Sequence, residues 1–159
     1  MPVAVFDSGV GGLTVLHECL VSLPHEDFVY LGDTERFPYG EREPDELLAF
    51  SRELAEILLE GGAKLLVIAC NSATAAAAAT LREELAGRVD VVSVVTPESR
   101  LAARATRNGR VGLLATTATV QSGAYARAVA EAAPGAELHA VAAPDLAPLI
   151  RRAAKSTSV

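Results

Sequence analysis

The chain has 159 residues, half of them apolar and 4% aromatic, with a formal net charge of −6. That length supports one solid α/β core or two small lobes, and the acidic balance with scattered basic residues excludes nucleic acid as the primary partner. No apolar run approaches a membrane span, and MPVAVFDSG lacks the basic n-region and cleavage site of a signal peptide. The two cysteines, without CxxC or Cys/His spacing, exclude a disulfide framework and a zinc site, so a reducing cytoplasm is expected.

Residues 3–6, VAVF, read as the first strand, and DSGVGG turns it into a helix with Leu13, Leu16, Leu20 and Leu23 on one face. On that helix Cys19 reads as a small core-side filler and His17 as a surface or boundary residue. FVYLGDT, from Phe28, is a second strand closed by Gly32-Asp33-Thr34, and Pro38-Tyr39-Gly40 suits a tight loop. Pro44 sits in the first turn of a helix whose Leu47, Phe50, Leu54 and Leu58 form an apolar stripe, ended by Gly61-Gly62.

The stretch 64–80, KLLVIACNSATAAAAAT, organises the rest. LLVIA is a fully apolar run fit for a buried parallel strand, and the alanine-rich run after it favours helix. Cys70-Asn71-Ser72 lies between them, so a thiol is held at a strand's carboxyl end and a helix N-terminus. The unpaired N–H groups there favour a thiolate and an anionic ligand. Asn71 and Ser72 can cap the helix or give their polar atoms to a ligand.

VDVVSVV, up to Val95, is another strand, and Thr96-Pro97 opens a helix to about Thr106. RNGRVGLLATTAT reads as a turn, a strand and a polar strand-end loop, and SGAYARAVAEAAPG as a helix closed by Pro134-Gly135. ELHAVAA is a short strand, APDLAPLIRRAA a short last helix, and the polar tail is expected to be disordered. The βαβα alternation predicts an α/β fold, a parallel sheet flanked by helices. We divide it into a first lobe, 1–95, a partial second lobe, 96–150, and a tail, 151–159.

Ligands of open α/β sheets bind beyond the strands' carboxyl ends. The residues there are Asp7 and Ser8, Asp33 and Thr34, Cys70, Asn71 and Ser72, and Thr116, Thr117 and Thr119. Singly, Asp7, Ser8 and the threonines read equally well as caps, Asp33 as a turn residue and Tyr39 as loop packing. Together they surround one reactive-type side chain with short hydrogen-bonding groups. A dinucleotide site fits poorly, because Gly9, Gly11 and Gly12 spell G-x-G-G and not G-x-G-x-x-G.

FDSGVGGLTVL, YLGDTERFPYGER and LVIACNSATA resemble the three N-terminal motifs of the glutamate racemases, in the aspartate/glutamate racemase superfamily, and VGLLATTATVQSGAY resembles a motif of their second lobe. The resemblance runs from about Val3 to Ala143. It implies two similar α/β lobes and cofactor-independent, metal-free interconversion of L- and D-glutamate, supplying D-glutamate for peptidoglycan. Two cysteines act on opposite faces of Cα, one as thiolate and one as thiol. It makes Cys70 one of them, with Asp7 beside it as a second catalytic group. Asp7, Ser8, Tyr39, Gly40, Asn71, Ser72, Thr116, Thr117 and Thr119 then border the substrate. It also implies a small-molecule partner, no nucleic acid or membrane, a cytoplasmic location and a homodimer at full length.

The sequence departs from that pattern. The family's second cysteine, in Cys-Thr-His, lies beyond residue 159, and Cys19 lacks a strand-end context to replace it. Arg151-Arg152 follow Pro148-Leu149-Ile150 where an acidic pair is usual, Thr96-Pro97-Glu98-Ser99 replaces a proline-glycine step, and Ala115 stands for a glycine. The expectation is an N-terminal portion with the second lobe and return segment incomplete, unable to racemise at a normal rate. The other readings are a racemase of aspartate or a related acid, and a non-catalytic remnant.

Overall fold

The computed structural model describes residues 1–156. Apolar strand β1 (Val3–Asp7) leads through the glycine loop into α1 (Leu13–Ser22), then β2 (Phe28–Gly32), α2 (Pro44–Glu60), β3 (Leu65–Ile68), α3 (Asn71–Glu84) and β4 (Asp90–Ser93). These strands form one parallel sheet in the order β2-β1-β3-β4, with Val5 opposite both Tyr30 and Val67. After α4 (Val95–Ala105) come β5 (Arg110–Ala115), α5 (Thr117–Gln121), α6 (Ala124–Ala132), β6 (Glu137–Ala142) and α7 (Leu146–Ser156). β5 and β6 pair in parallel as a second sheet.

The main core lies on one face of the first sheet. Ala4, Phe6, Leu66 and Ile68 point into α2 and α3, meeting Leu47, Leu54, Leu58, Ala73, Ala77 and Leu81. Each large side chain fully withdrawn from water there contributes roughly 1.5–3 kcal/mol. Glu43 and Glu46 form a reciprocal capping box at the start of α2, with Pro44 next to the cap. The small alanines let α3 lie close to α2 and to the strand that delivers Cys70.

Four expectations need correction. On the other face, Val3, Val5, Val67 and Ala69 are met by Val15 and Leu16 of α1, while Leu13, Leu20 and Leu23 are exposed. The glycine loop ties α1 to Asp7 and fixes its rotation, which the leucine spacing does not report. Cys19 is accordingly half-exposed, not core. The stretch after β5 is not a loop: Thr116 accepts a hydrogen bond from the Thr119 N–H and starts α5, a local cap outweighing the weak helix propensity of threonine. Finally, α7 continues through Ser156 where a disordered tail was expected, because Arg, Ala and Lys propagate a helix with no Gly or Pro to stop it. Residues 157–159 lie outside the described residues.

Candidate active site

Because β1 and β3 are neighbours in register, their carboxyl ends bring Ser8 and Cys70 together across 62 positions of sequence, and the Cys70 thiol donates to Ser8 Oγ at 3.4 Å. Cys70 is itself the N-cap of α3, with extended backbone, and its Sγ accepts from the Ala73 N–H at 3.5 Å. Asn71 and Ser72 therefore do not cap the helix and are free for other partners.

Asp7, buried at the end of β1, accepts from the N–H groups of Gly9 at 3.1 Å and Gly12 at 3.0 Å. A Cβ at Gly12 would stand 2.7 Å from Asp7 Cβ and 2.9 Å from Ala69 Cβ, so only glycine lets the loop fold onto the carboxylate. The helix-end position predicts a thiolate, yet the Cys70 pKa is raised. Burial is the main cause and the Asp7 charge the second, outweighing the hydrogen bonds that Ser8 and the Ala73 N–H would give the thiolate. At neutral pH the resting group is a thiol.

At the end of β2, Asp33 is more than a turn residue. It is buried and accepts from the Tyr39 hydroxyl, from Arg36 Nε at 2.6 Å and from the Arg36 N–H at 3.3 Å. Arg36 continues to Glu53 at 2.6 Å and lies 4.4 Å over the Phe50 ring. Tyr39, 1% exposed, is thus committed to Asp33 and Phe50 and does not turn its hydroxyl outward. The tight loop it belongs to carries Gly40 against α5, where the Gly40 carbonyl accepts from the Ala118 N–H at 2.9 Å.

The start of α3 meets the start of α5 through hydroxyls. Ser72 Oγ lies 2.9 Å from Thr116 Oγ1 and 3.4 Å from Thr119 Oγ1, and the Thr116 hydroxyl donates to that of Thr119 at 3.0 Å. Thr117, the first residue of α5, is half-buried and stands outside this triangle. Asn71 Oδ1 lies 2.6 Å from the hydroxyl of Tyr125 on α6, which also contacts Glu98 Oε2 on α4. Nine of the ten predicted site residues thus fall into three linked groups: Asp7–Ser8–Cys70, Tyr39–Gly40, and Asn71–Ser72–Thr116–Thr119.

Arg36, Glu98 and Tyr125 are absent from the sequence-based candidates, and Asp33 is named there only as a turn residue at its strand end. The Asp-x-x-Arg spacing after β2 carried a signal for Asp33 and Arg36, and nothing local flags Glu98 and Tyr125. A cleft of about 380 Å³ opens beside these groups, bordered by Asn71, Glu98, Ser99, Thr116, Thr119 and Tyr125 and otherwise by Gly112 and apolar side chains. Asp7, Ser8 and Cys70 do not line it, and the thiol is 6% exposed. Among the described residues, no three His, Cys, Asp or Glu side chains are grouped to hold a metal ion.

The profile of the Asp/Glu/Hydantoin racemase family matches residues 15–159. The chain is 51% identical to a glutamate racemase of Beutenbergia cavernae over 94% of its own length and 51% of that protein's. Its fold superposes on glutamate racemase isoform RacE1 of Bacillus anthracis with TM-score 0.92 and 39% identity, covering 99% of this chain and 58% of that one. It also superposes on the Francisella tularensis glutamate racemase solved in complex with D-glutamate, with TM-score 0.86 and 33% identity, over 95% and 56% of the two chains. The chain spans about half the length of the curated relatives it matches.

Proposed function

This chain belongs to the Asp/Glu/Hydantoin racemase family, and on that premise we propose that it carries one of the two proton-transfer faces of a cofactor-independent glutamate racemase. The observation that carries the reading is the Cys70 thiol, cap of α3 and hydrogen-bonded to Ser8, with the Asp7 carboxylate near enough to raise its pKa.

Chemically, inversion at Cα needs a base on one face and an acid on the other, each in the complementary protonation state. Ser8 suits a group that must serve in both states. It accepts from the thiol, and on ionisation its hydroxyl can turn to donate to the thiolate beside the Ala73 N–H. An amino acid's ammonium group beside Asp7 offsets the charge that opposes ionisation, so the substrate itself brings the sulfur toward the form that removes the α-proton. Asn71, Ser72, Thr116 and Thr119, with the backbone of the Tyr39-Gly40 loop and Thr117 at its edge, hold the ligand's polar ends.

We read residues 1–95 and 96–150 as two lobes with the ligand between them, which the change of sheet between β4 and β5 supports. D-Glutamate supply to peptidoglycan, a cytoplasmic location and a homodimer of the full-length protein belong to the same proposal.

The test is α-proton exchange in heavy water, followed by proton NMR of glutamate. The 159-residue chain should introduce deuterium at Cα, and Cys70→Ser should slow this by about 10²–10⁴-fold. Exchange at the solvent rate with the wild-type chain, or undiminished exchange with Cys70→Ser, rejects the reading.

A further inference from the structure

Tyr125 is buried, and its hydroxyl stands between acceptors on two other elements, Glu98 Oε2 on α4 and the Asn71 amide on α3. A phenol has one proton to give. Burial, followed by the Glu98 carboxylate, raises the phenol's pKa, so that proton stays on the oxygen at neutral pH. With Asn71 Oδ1 also facing it, two acceptors would compete for a single hydrogen.

The carboxylate is the stronger acceptor and takes it. The phenol oxygen then has only lone pairs to offer Asn71, and the amide satisfies them by turning its NH₂ group inward. The two ends of an amide have nearly the same shape, so hydrogen bonding decides between them. That turn would send Asn71 Oδ1, which faces the phenol at 2.6 Å, to the opposite end of an exposed side chain next in sequence to Cys70 and without another hydrogen-bond partner among the described residues.

We propose that Glu98 and Tyr125 are positioning residues that set the polarity of Asn71. A carboxylate on α4, acting through a phenol on α6, makes the first residue of α3 present a carbonyl oxygen beside Cys70, an acceptor suited to an amino acid's ammonium group. The ligand's identity rests on the racemase reading; the amide's orientation does not.

NMR of the ¹⁵N-labelled 159-residue chain tests this. The wild-type protein should show contacts between the Asn71 NH₂ protons and the Tyr125 ring. Glu98→Ala, at an exposed helix position, frees the phenol proton for Asn71 Oδ1, so the amide turns over and those contacts vanish. Tyr125→Phe, which keeps the ring, should leave the Asn71 amide without a fixed orientation.

In a D-glutamate titration, Glu98→Ala should bind about tenfold more weakly than wild type, the loss expected of one hydrogen bond to a charged group. Contacts that persist in Glu98→Ala, or are absent from wild type, overturn the proposal, as does a reversed amide with unchanged affinity. If the amide reverses as expected but neither form binds D-glutamate, the positioning pair stands and the racemase reading of the ligand falls.

Discussion

Cys70 is held by opposing influences, and their balance makes its reactivity measurable. Burial and Asp7 push the thiol up, while Ser8 and the Ala73 N–H pull it down. In a Cys19→Ala background, iodoacetamide should therefore label Cys70 with a pH midpoint above the ordinary thiol range. Asp7→Asn removes a negative charge and should move the midpoint down. Mass spectrometry of the labelled protein at a series of pH values reads both, and a midpoint at or below that of a free thiol contradicts the burial argument. The same shift bears on folding. Because the native thiol ionises later than the unfolded one, near 8.5, the native state holds the extra proton above that pH. Stability should be full below about pH 8.5 and fall as pH rises through the native pKa. Urea melts at pH 8 to 10 in the Cys19→Ala background, which removes the other raised thiol, should show that decline, and adding Cys70→Ser should abolish it; equal slopes would refute it. Measurements above about pH 10 mix in Tyr30, Tyr39 and Tyr125, whose phenols are also raised.

At the scale of the elements, apolar content fixes strands better than it fixes helix faces. The runs VAVF and LLVIA pack into the sheet whichever way the chain turns, with only Leu65 half-buried, so β1 and β3 were legible to within one residue of their ends. The leucines of α1 show that periodicity names a stripe without naming what it faces; the rotation is set by two hydrogen bonds to Asp7 from a loop. Likewise, α5 depends on a threonine cap made by geometry and not by propensity. The contact between the Pro38-Tyr39-Gly40 loop and α5 is tertiary in origin, and it can be broken at one atom. A Cβ on Gly40 would stand 2.6 Å from both Cβ and Cγ2 of Thr116, the residue that also holds Ser72. Gly40→Ala should cost about 1–3 kcal/mol, lowering the thermal midpoint by roughly 2–4 °C per kcal/mol. A melt indistinguishable from wild type would mean that the loop yields without disturbing the second sheet.

Across the whole molecule, the site was legible where chemistry and position coincide in one motif, as at Asp7-Ser8 and Cys70-Asn71-Ser72. It was not legible where one element reaches another far along the chain, as Tyr125 reaches Asn71 across 54 positions. The same distinction governs what these 159 residues can do. Racemisation demands groups on both faces of Cα, and the chain has two thiols. Cys70 lies at a strand end among hydrogen-bond donors; Cys19 lies along α1, half-exposed, its pKa raised by burial and by Glu18. A single proton-transfer group takes a proton from Cα and returns one to the same face, so configuration is kept while hydrogen is traded for deuterium. In heavy water, one enantiomer of glutamate should gain deuterium at Cα under the action of this chain, with no change in optical rotation over the same period. If rotation decays to zero and both enantiomers carry deuterium, a second acid lies within these residues and the one-sided account is wrong.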